Sequence, residues 1–155
     1  MAAAYREQYD RMRRWYYRFV ALDQRRLHEV PSDNYLDEIY AFFMNCYHLK
    51  DWIRNDNTVA APIQQSIETH INSNRAFRLC ADVCNSLKHL RLTSSRSGEK
   101  PVFGRKQFGM ALGQGPPTIS LKYEVDTTTG PIDAFSLATE CVDAWDSFLT
   151  ANGMG

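Results

Sequence analysis

Four polar side chains of complementary chemistry recur at helical spacing, and they are Arg78, Asp82, Asn85 and His89. Their spacing of four, three and four residues places them on one stripe of an α-helix. Such a set can form a directed hydrogen-bond chain, whereas a merely solvated helix face usually carries Lys and Glu. Together with Lys88 and Asn85, the His89 imidazole could orient and neutralise a phosphodiester and act as general acid or base. The pattern therefore predicts catalytic roles for these three residues and substrate-binding roles for Arg78 and Asp82.

A simpler interpretation of the same stripe is that it forms the wet face of an amphipathic helix. The opposite side of this helix is apolar, because Leu79, Val83 and Leu87 recur there at the same spacing. From spacing alone, the solvated-face interpretation and the functional one both stay open.

A second pair of polar residues, His48 and Asp51, lies in the segment Tyr47–Trp52 of a strongly apolar stretch. A carboxylate beside an imidazole fixes its tautomer, so this pair is predicted to assist His89 in catalysis. The alternative is that His48 and Asp51 lie at the edge of a buried helix face and stabilise the bundle. A metal-dependent hydrolase could also use side chains from two facing helices, namely His48, Asp51, Asp82 and His89. The Glu-rich ligand sets of helical-bundle metal sites are missing, so no metal and no other cofactor is expected.

The cysteines are predicted to be buried free thiols. All four lie in helical, apolar stretches: Cys46, Cys80, Cys84 and Cys141. Cys80 and Cys84 are one turn apart, but CxxxC without a second cysteine pair is a poor zinc pattern. Free thiols also suit a reducing compartment. With neither a signal peptide nor an apolar run of membrane-spanning length, the sequence predicts a cytoplasmic chain without a membrane partner.

Length and charge restrict the possible functions. A chain of 155 residues fits a single domain, 1–155, that can bury an adequate core without metal or disulfides. Its 18 basic and 18 acidic residues cancel, which excludes a broad electrostatic footprint for nucleic acid. A local basic patch is still compatible with this balance, because arginines crowd the first predicted helix.

The elements that must position these residues are mostly helices. Apolar periodicity and breakers predict helices over about 3–28, 33–55, 60–71, 74–92 and 131–151. The stretch 102–126 changes character, with possible short strands at 102–104 and 107–112 and an alternating strand at 118–125. The predicted fold is mainly α, a four- to five-helix bundle with a small antiparallel β-hairpin inserted before the last helix.

The segment Asn85-Ser-Leu-Lys-His89 in a late helix of such a bundle resembles the HEPN superfamily. Members of that superfamily are helical bundles, often dimeric, and many are metal-independent ribonucleases of toxin–antitoxin, abortive-infection and CRISPR systems. Their motif is an Arg, a polar residue and, a few residues later, a His. Here the polar residue and the His match, but Cys84 stands in the place of the Arg, whose charge could only come from Lys88 or Arg78. This segment combined with Tyr47–Trp52 is also similar to a pairing in uncharacterised bacterial and phage-borne proteins.

Two functional hypotheses follow. The resemblance implies a HEPN-like, metal-independent endoribonuclease, or an RNA- or nucleotide-binding protein, of a defence or conflict system. The missing Arg and the zero net charge favour instead a non-catalytic, dimeric interaction or regulatory module with a degenerate motif. A homodimer is expected in either case, and a separate protein partner is compatible with the second.

Overall fold

The computed structural model describes residues 3–89 and 94–155. In this part of the chain the helices are α1 (Ala4–Gln24), α2 (Ser32–Asn55), α3 (Ala61–Ser73), α4 (Arg75–His89) and α5 (Ala134–Ala151). The strands are β1 (Arg26–Leu27), β2 (Val102–Ala111), β3 (Thr118–Thr127) and β4 (Gly130–Asp133). The mainly helical architecture with an antiparallel β element before the last helix is confirmed, but the β element is larger than the predicted hairpin. No described helix has both the length and the apolar character needed to cross a bilayer.

The first helix is shorter than predicted. It ends at Gln24 rather than near residue 28, because the following residues pair with the sheet. In β1, Arg26 lies opposite Ile119 and Leu27 opposite Thr118. The amide of His28 then donates to the carbonyl of Pro117 at 2.9 Å. Long-range pairing thus overrides a local sequence that carries no helix breaker before Pro31.

The last helix begins at Ala134, three residues later than predicted. Residues 130–133 form β4, in which Ile132 pairs with Val125 of β3. Asp133 then serves as the N-cap, because its carboxylate accepts from the amide of Ser136 at 2.8 Å.

Helix α4 carries the polar stripe, and its start is set by Asn74. The side-chain oxygen of Asn74 accepts from the amides of Ala76 at 2.9 Å and Phe77 at 3.4 Å. Ser73, the other possible cap, instead donates its hydroxyl back to the carbonyl of His70. The predicted continuation of this helix through residues 90–92 lies outside the described residues.

The sheet has the order β1-β3-β2, with β4 also pairing with β3. The alternation predicted for β3 is confirmed, since Ile119, Leu121, Tyr123 and Val125 are all buried. The two short strands predicted at 102–104 and 107–112 are one strand, β2, with a bulge between Phe103 and Lys106. Because β2 covers one edge of β3 along nearly its whole length, β1 and β4 share the other edge. Among the described residues, no strand pairs with the outer edge of β2.

The core joins every helix to β3. Trp145 of α5 is fully buried in this core, and its indole N–H donates to the backbone carbonyl of Cys46 at 3.1 Å. All four cysteines are free and buried, as predicted. At the periphery, the Tyr5 hydroxyl donates to the carbonyl of Met154 at 2.8 Å and ties α1 to the residues after α5.

Candidate functional site

The predicted stripe on α4 does not form one continuous surface. Arg78 is half-buried and donates to the backbone carbonyl of Asn72 at 2.6 Å. Asn85 is half-buried and His89 is exposed. Asp82, between them, has 0% exposure. A buried carboxylate interrupts the stripe, so the solvated-face interpretation fails at this position.

Asp82 is buried because the segment 95–97 folds over it and supplies four hydrogen-bond donors. One carboxylate oxygen accepts from the amide of Arg96 at 2.7 Å. The other accepts from the hydroxyls of Ser95 at 2.7 Å and Ser97 at 2.6 Å, and from the amide of Ser97 at 2.9 Å. These bonds satisfy the carboxylate, so a substrate would have to displace the segment in order to reach it.

The other predicted catalytic residues fall into two groups. On α4, Lys88 and His89 are exposed and line an open groove of about 700 Å³ together with Val102 and Phe103 of β2. On α2, His48 is exposed, and Asp51 is half-buried.

The structure does not join these two groups into one catalytic constellation by direct contact. Asp51 accepts from the ammonium of its neighbour Lys50 at 3.0 Å. Within the part of the chain that the structure describes, no hydrogen bond or ion pair connects His48 or Asp51 with Asn85 or His89. The described contacts therefore do not assemble the α2 pair and the α4 residues into the single catalytic site that the sequence predicted.

Cys84, which stands where the HEPN motif has its arginine, is a buried thiol with 7% exposure. Burial raises its pKa to about 11, because an anion would lose its hydration there. The position thus holds a neutral side chain on the inner side of α4. It supplies no positive charge to stabilise a phosphate.

A polar cluster that the sequence did not reveal lies between α2, α3 and the segment after α4. The Lys50 ammonium bridges Asp51 at 3.0 Å and Glu68 at 3.1 Å, and the Arg96 guanidinium reaches Glu68 at 3.0 Å. Both cations also lie over the ring of Tyr47, at 4.9 Å and 5.8 Å from its centroid. Only the spacing of Tyr47, Lys50 and Asp51 on one helix was visible in sequence, because Glu68 and Arg96 come from distant segments.

This cluster is internally neutralised. Burial tends to lower the pKa of Lys50, but the hydrogen bonds that its ammonium donates to Asp51 and Glu68 outweigh burial and raise the pKa. Burial tends to raise the pKa of Glu68, but hydrogen bonds from Arg96 and Lys50 lower it. Two cations thus face two carboxylates, and Arg96 belongs to the segment held by Asp82. The arrangement anchors that segment to the helices and offers no unmatched charge to an anionic ligand.

Several exposed apolar side chains lie on β2 and just beyond it. The exposed fractions are 54% for Val102, 42% for Phe108, 51% for Met110 and 80% for Leu112. Beside Phe108, a cavity of about 360 Å³ opens between β2 and the start of α2, and Leu36, Lys106 and Leu121 also line it. Exposed apolar side chains on a strand whose outer edge has no partner among the described residues are typical of a protein-binding surface. The residue pattern predicted strands here but not this surface, because alternation alone does not reveal which strand forms the sheet edge.

No protein-family model, curated protein or solved structure matches this chain. A HEPN relationship therefore stays a prediction from the segment 85–89.

Proposed function

We propose that this chain is a non-catalytic interaction module that forms a homodimer through the free edge of β2. The observation that carries the proposal is a ten-residue edge strand with exposed Phe108 and Met110. No strand of residues 3–89 or 94–155 pairs with its outer edge, so a second extended strand can bind the amides and carbonyls there. Strand addition also needs no catalytic groups, in agreement with the lack of hydrogen bonds and ion pairs from His48 or Asp51 to His89 among the described residues.

A second copy fits this edge because the sheet faces match. Antiparallel pairing about a two-fold axis perpendicular to the sheet keeps each face on its own side, so only side chains of the same face meet. Phe108 is paired with Leu121 and Met110 with Ile119, which places both on the face that packs toward the core. With the axis at Phe108, the two phenyl rings meet each other and each Met110 meets the Lys106 of the other copy.

This register also keeps like charges apart. The two Lys106 side chains lie about 14 Å from each other, since four residues along antiparallel strands span about 13 Å. That distance exceeds the Debye length of about 8 Å at physiological salt. Each Met110 approaches the cavity beside Phe108, where a flexible thioether can adapt to the apolar lining.

The test is the molecular mass in solution, measured by light scattering or sedimentation. A strand-to-strand interface is small, so we expect a dimer with a dissociation constant of roughly 1–100 μM. Phe108→Asp places two carboxylates at the axis and should give a monomer at every concentration. Met44→Asp is the matched control, because Met44 is also 42% exposed but belongs to α2 and not to a strand.

Two results would contradict the proposal. The first is a wild-type chain that stays monomeric up to about 100 μM, the upper end of the expected range. The second is a dimer that Met44→Asp disrupts and Phe108→Asp leaves intact.

Metal-independent RNA cleavage is a second candidate, favoured by the exposure of Lys88 and His89 in the groove at the start of β2. In the proposed dimer the two grooves lie about 40 Å apart, because Val102 is six residues from Phe108. Each groove would therefore act alone. The expected activity survives EDTA and is lost in His89→Ala, with melting temperature as the control for folding. RNA that stays intact between about pH 5 and pH 8, where an imidazole titrates, would remove this candidate.

A further inference from the structure

Three of the four cysteines converge in the core, although they come from three different helices. Cys46 lies on α2, Cys80 on α4 and Cys141 on α5. Their sulfur atoms all lie within 4.8 Å of one another, and all three residues have 0% exposure. The local Cys80–Cys84 spacing in the sequence gives no sign of this arrangement.

The surrounding contacts hold the three thiols in place. The Cys80 thiol lies 3.5 Å from the carbonyl of Phe43, and the Cys141 thiol lies 3.5 Å from the carbonyl of Ala76. The indole of Trp145 binds the backbone carbonyl of Cys46 at 3.1 Å. Hydrogen bonds between helices thus fix the helical turns that carry the sulfurs. A ligand-binding site requires this kind of preorganisation.

We propose that Cys46, Cys80 and Cys141 form a three-sulfur site for one Cu(I) ion. Sulfur ligands favour soft ions such as Cu(I). A metal–sulfur bond of about 2.3 Å puts the sulfurs of a trigonal site about 4.0 Å apart, so the trio needs only a small contraction. In the described residues no other His, Cys, Asp or Glu offers a fourth ligand to the group. Zn²⁺ normally takes four ligands, whereas Cu(I) is satisfied by three.

The charge balance also favours a monovalent ion. No cationic side chain hydrogen-bonds to any of these sulfurs in the described part of the chain, so a net charge here would be costly. Binding of Cu(I) displaces one thiol proton to solvent and forms a Cu–S bond to the resulting thiolate. The other two thiols keep their protons and donate sulfur lone pairs. The bound group is then neutral, and neither copper nor sulfur changes oxidation state.

The experiment titrates the intact protein anaerobically with Cu(I) supplied as its coloured bicinchoninate complex. X-ray absorption spectroscopy then counts the sulfur neighbours of the bound ion. The expected result is one Cu(I) per chain with three sulfur neighbours and a higher melting temperature. Cys46→Ser should weaken binding at least about 100-fold, because even second-shell changes weaken metal sites by about 10- to 100-fold.

Cys84→Ser is the matched control, because Cys84 is also a buried thiol but does not belong to the trio. It should bind Cu(I) with wild-type stoichiometry and affinity. If Cys46→Ser does not fold, as judged by circular dichroism, Cys46→Ala removes the ligand without burying a hydroxyl. Several results would overturn the site: equal loss in Cys84→Ser, fewer than three sulfur neighbours, or a melting temperature that Cu(I) lowers. The dimer measurement is independent of all of these outcomes.

Discussion

Replacing Asp82 by alanine tests whether this residue is an anchor for the segment after α4. The substitution removes the acceptor of four hydrogen bonds, two of which come from the backbone amides of Arg96 and Ser97. If Asp82 were held for a substrate instead, its loss would impair binding and leave the fold unchanged. The anchor role predicts that stability falls first.

The size of the effect follows from the two backbone bonds. A hydrogen bond to a charged acceptor contributes about 1.5–3 kcal/mol net, so two such bonds give about 3–6 kcal/mol. The two serine hydroxyls add little, because they can rotate toward water. Alanine also avoids the desolvation of a fully buried carboxylate, which offsets part of the loss. We therefore expect Asp82→Ala to lower the free energy of unfolding by about 3 kcal/mol.

The intermediate variant is Asp82→Asn. Its amide oxygen can still accept from the amide of Arg96, but its NH₂ group would face the N–H of Ser97. We expect a loss of about 1–2 kcal/mol, between wild type and Asp82→Ala. Arg78→Ala is the control on the same helix one turn earlier, because its bond to Asn72 is solvent-exposed, and it should change stability by less than about 1 kcal/mol.

Urea unfolding measures these differences, and amide hydrogen exchange locates them. The amides of Arg96 and Ser97 should be protected in wild type and should exchange much faster in Asp82→Ala. The anchor interpretation is refuted if Asp82→Ala stays within about 0.5 kcal/mol of wild type, the range of ordinary surface substitutions. Unchanged exchange of the two amides would refute it as well.

Three further predictions concern pH dependence and the core. Burial lowers the pKa of His70 from 6.5, so the imidazole binds a proton more readily in the unfolded chain. The free energy of unfolding should therefore fall as pH drops below about 6.5. In urea titrations, His70→Phe should lack this pH-dependent loss of stability. Hydrogen bonding with Arg75 holds the pKa of Glu99 at about 2. In thermal melts, wild type should therefore be more stable than Glu99→Gln above pH 4.5, and this difference should disappear as pH falls toward 2. Trp145→Phe removes the indole donor and leaves the buried carbonyl of Cys46 without its partner, so chemical unfolding should show a loss of about 1–3 kcal/mol.

The helices and β3 could be predicted because their burial follows a local period. Ile39, Phe42, Cys46 and Leu49 recur along one face of α2 and are all fully buried. The inward-facing residues of β3 alternate with outward-facing ones in the same way. In both cases the residue spacing already encodes which side meets the core.

The short strands β1 and β4 could not be predicted, because their structure depends on a distant partner. Arg26 and Leu27 carry no periodic signal of their own, and they are extended only because β3 pairs with them. Gly130-Pro131 looks like a helix start after a turn, yet residues 130–133 complete the ladder beside Val125. Two- and four-residue strands are too short for alternation to identify them.

The candidate sites were even less predictable. The spacing of Asp82 placed it in line with Arg78 and His89 on the helix, but its burial depends on four donors from the segment 95–97. The thiol trio depends on three helices that meet in space, and no sequence spacing relates Cys46, Cys80 and Cys141. Helical periodicity predicted that each cysteine was buried, and it carried no information about which of them would touch.

The cluster of Cys46, Cys80 and Cys141 can be used to follow the assembly of the core. Cys141 belongs to the last helix, and the β1–β3 pairing joins residues about 90 positions apart, so we expect the cost of loop closure to delay both in folding. During synthesis, α2 and α4 must wait without their third thiol until α5 has emerged. A cysteine-modifying reagent added to the finished protein should therefore react with the trio only as fast as the chain opens globally. Its rate would report how long the assembled core persists between openings.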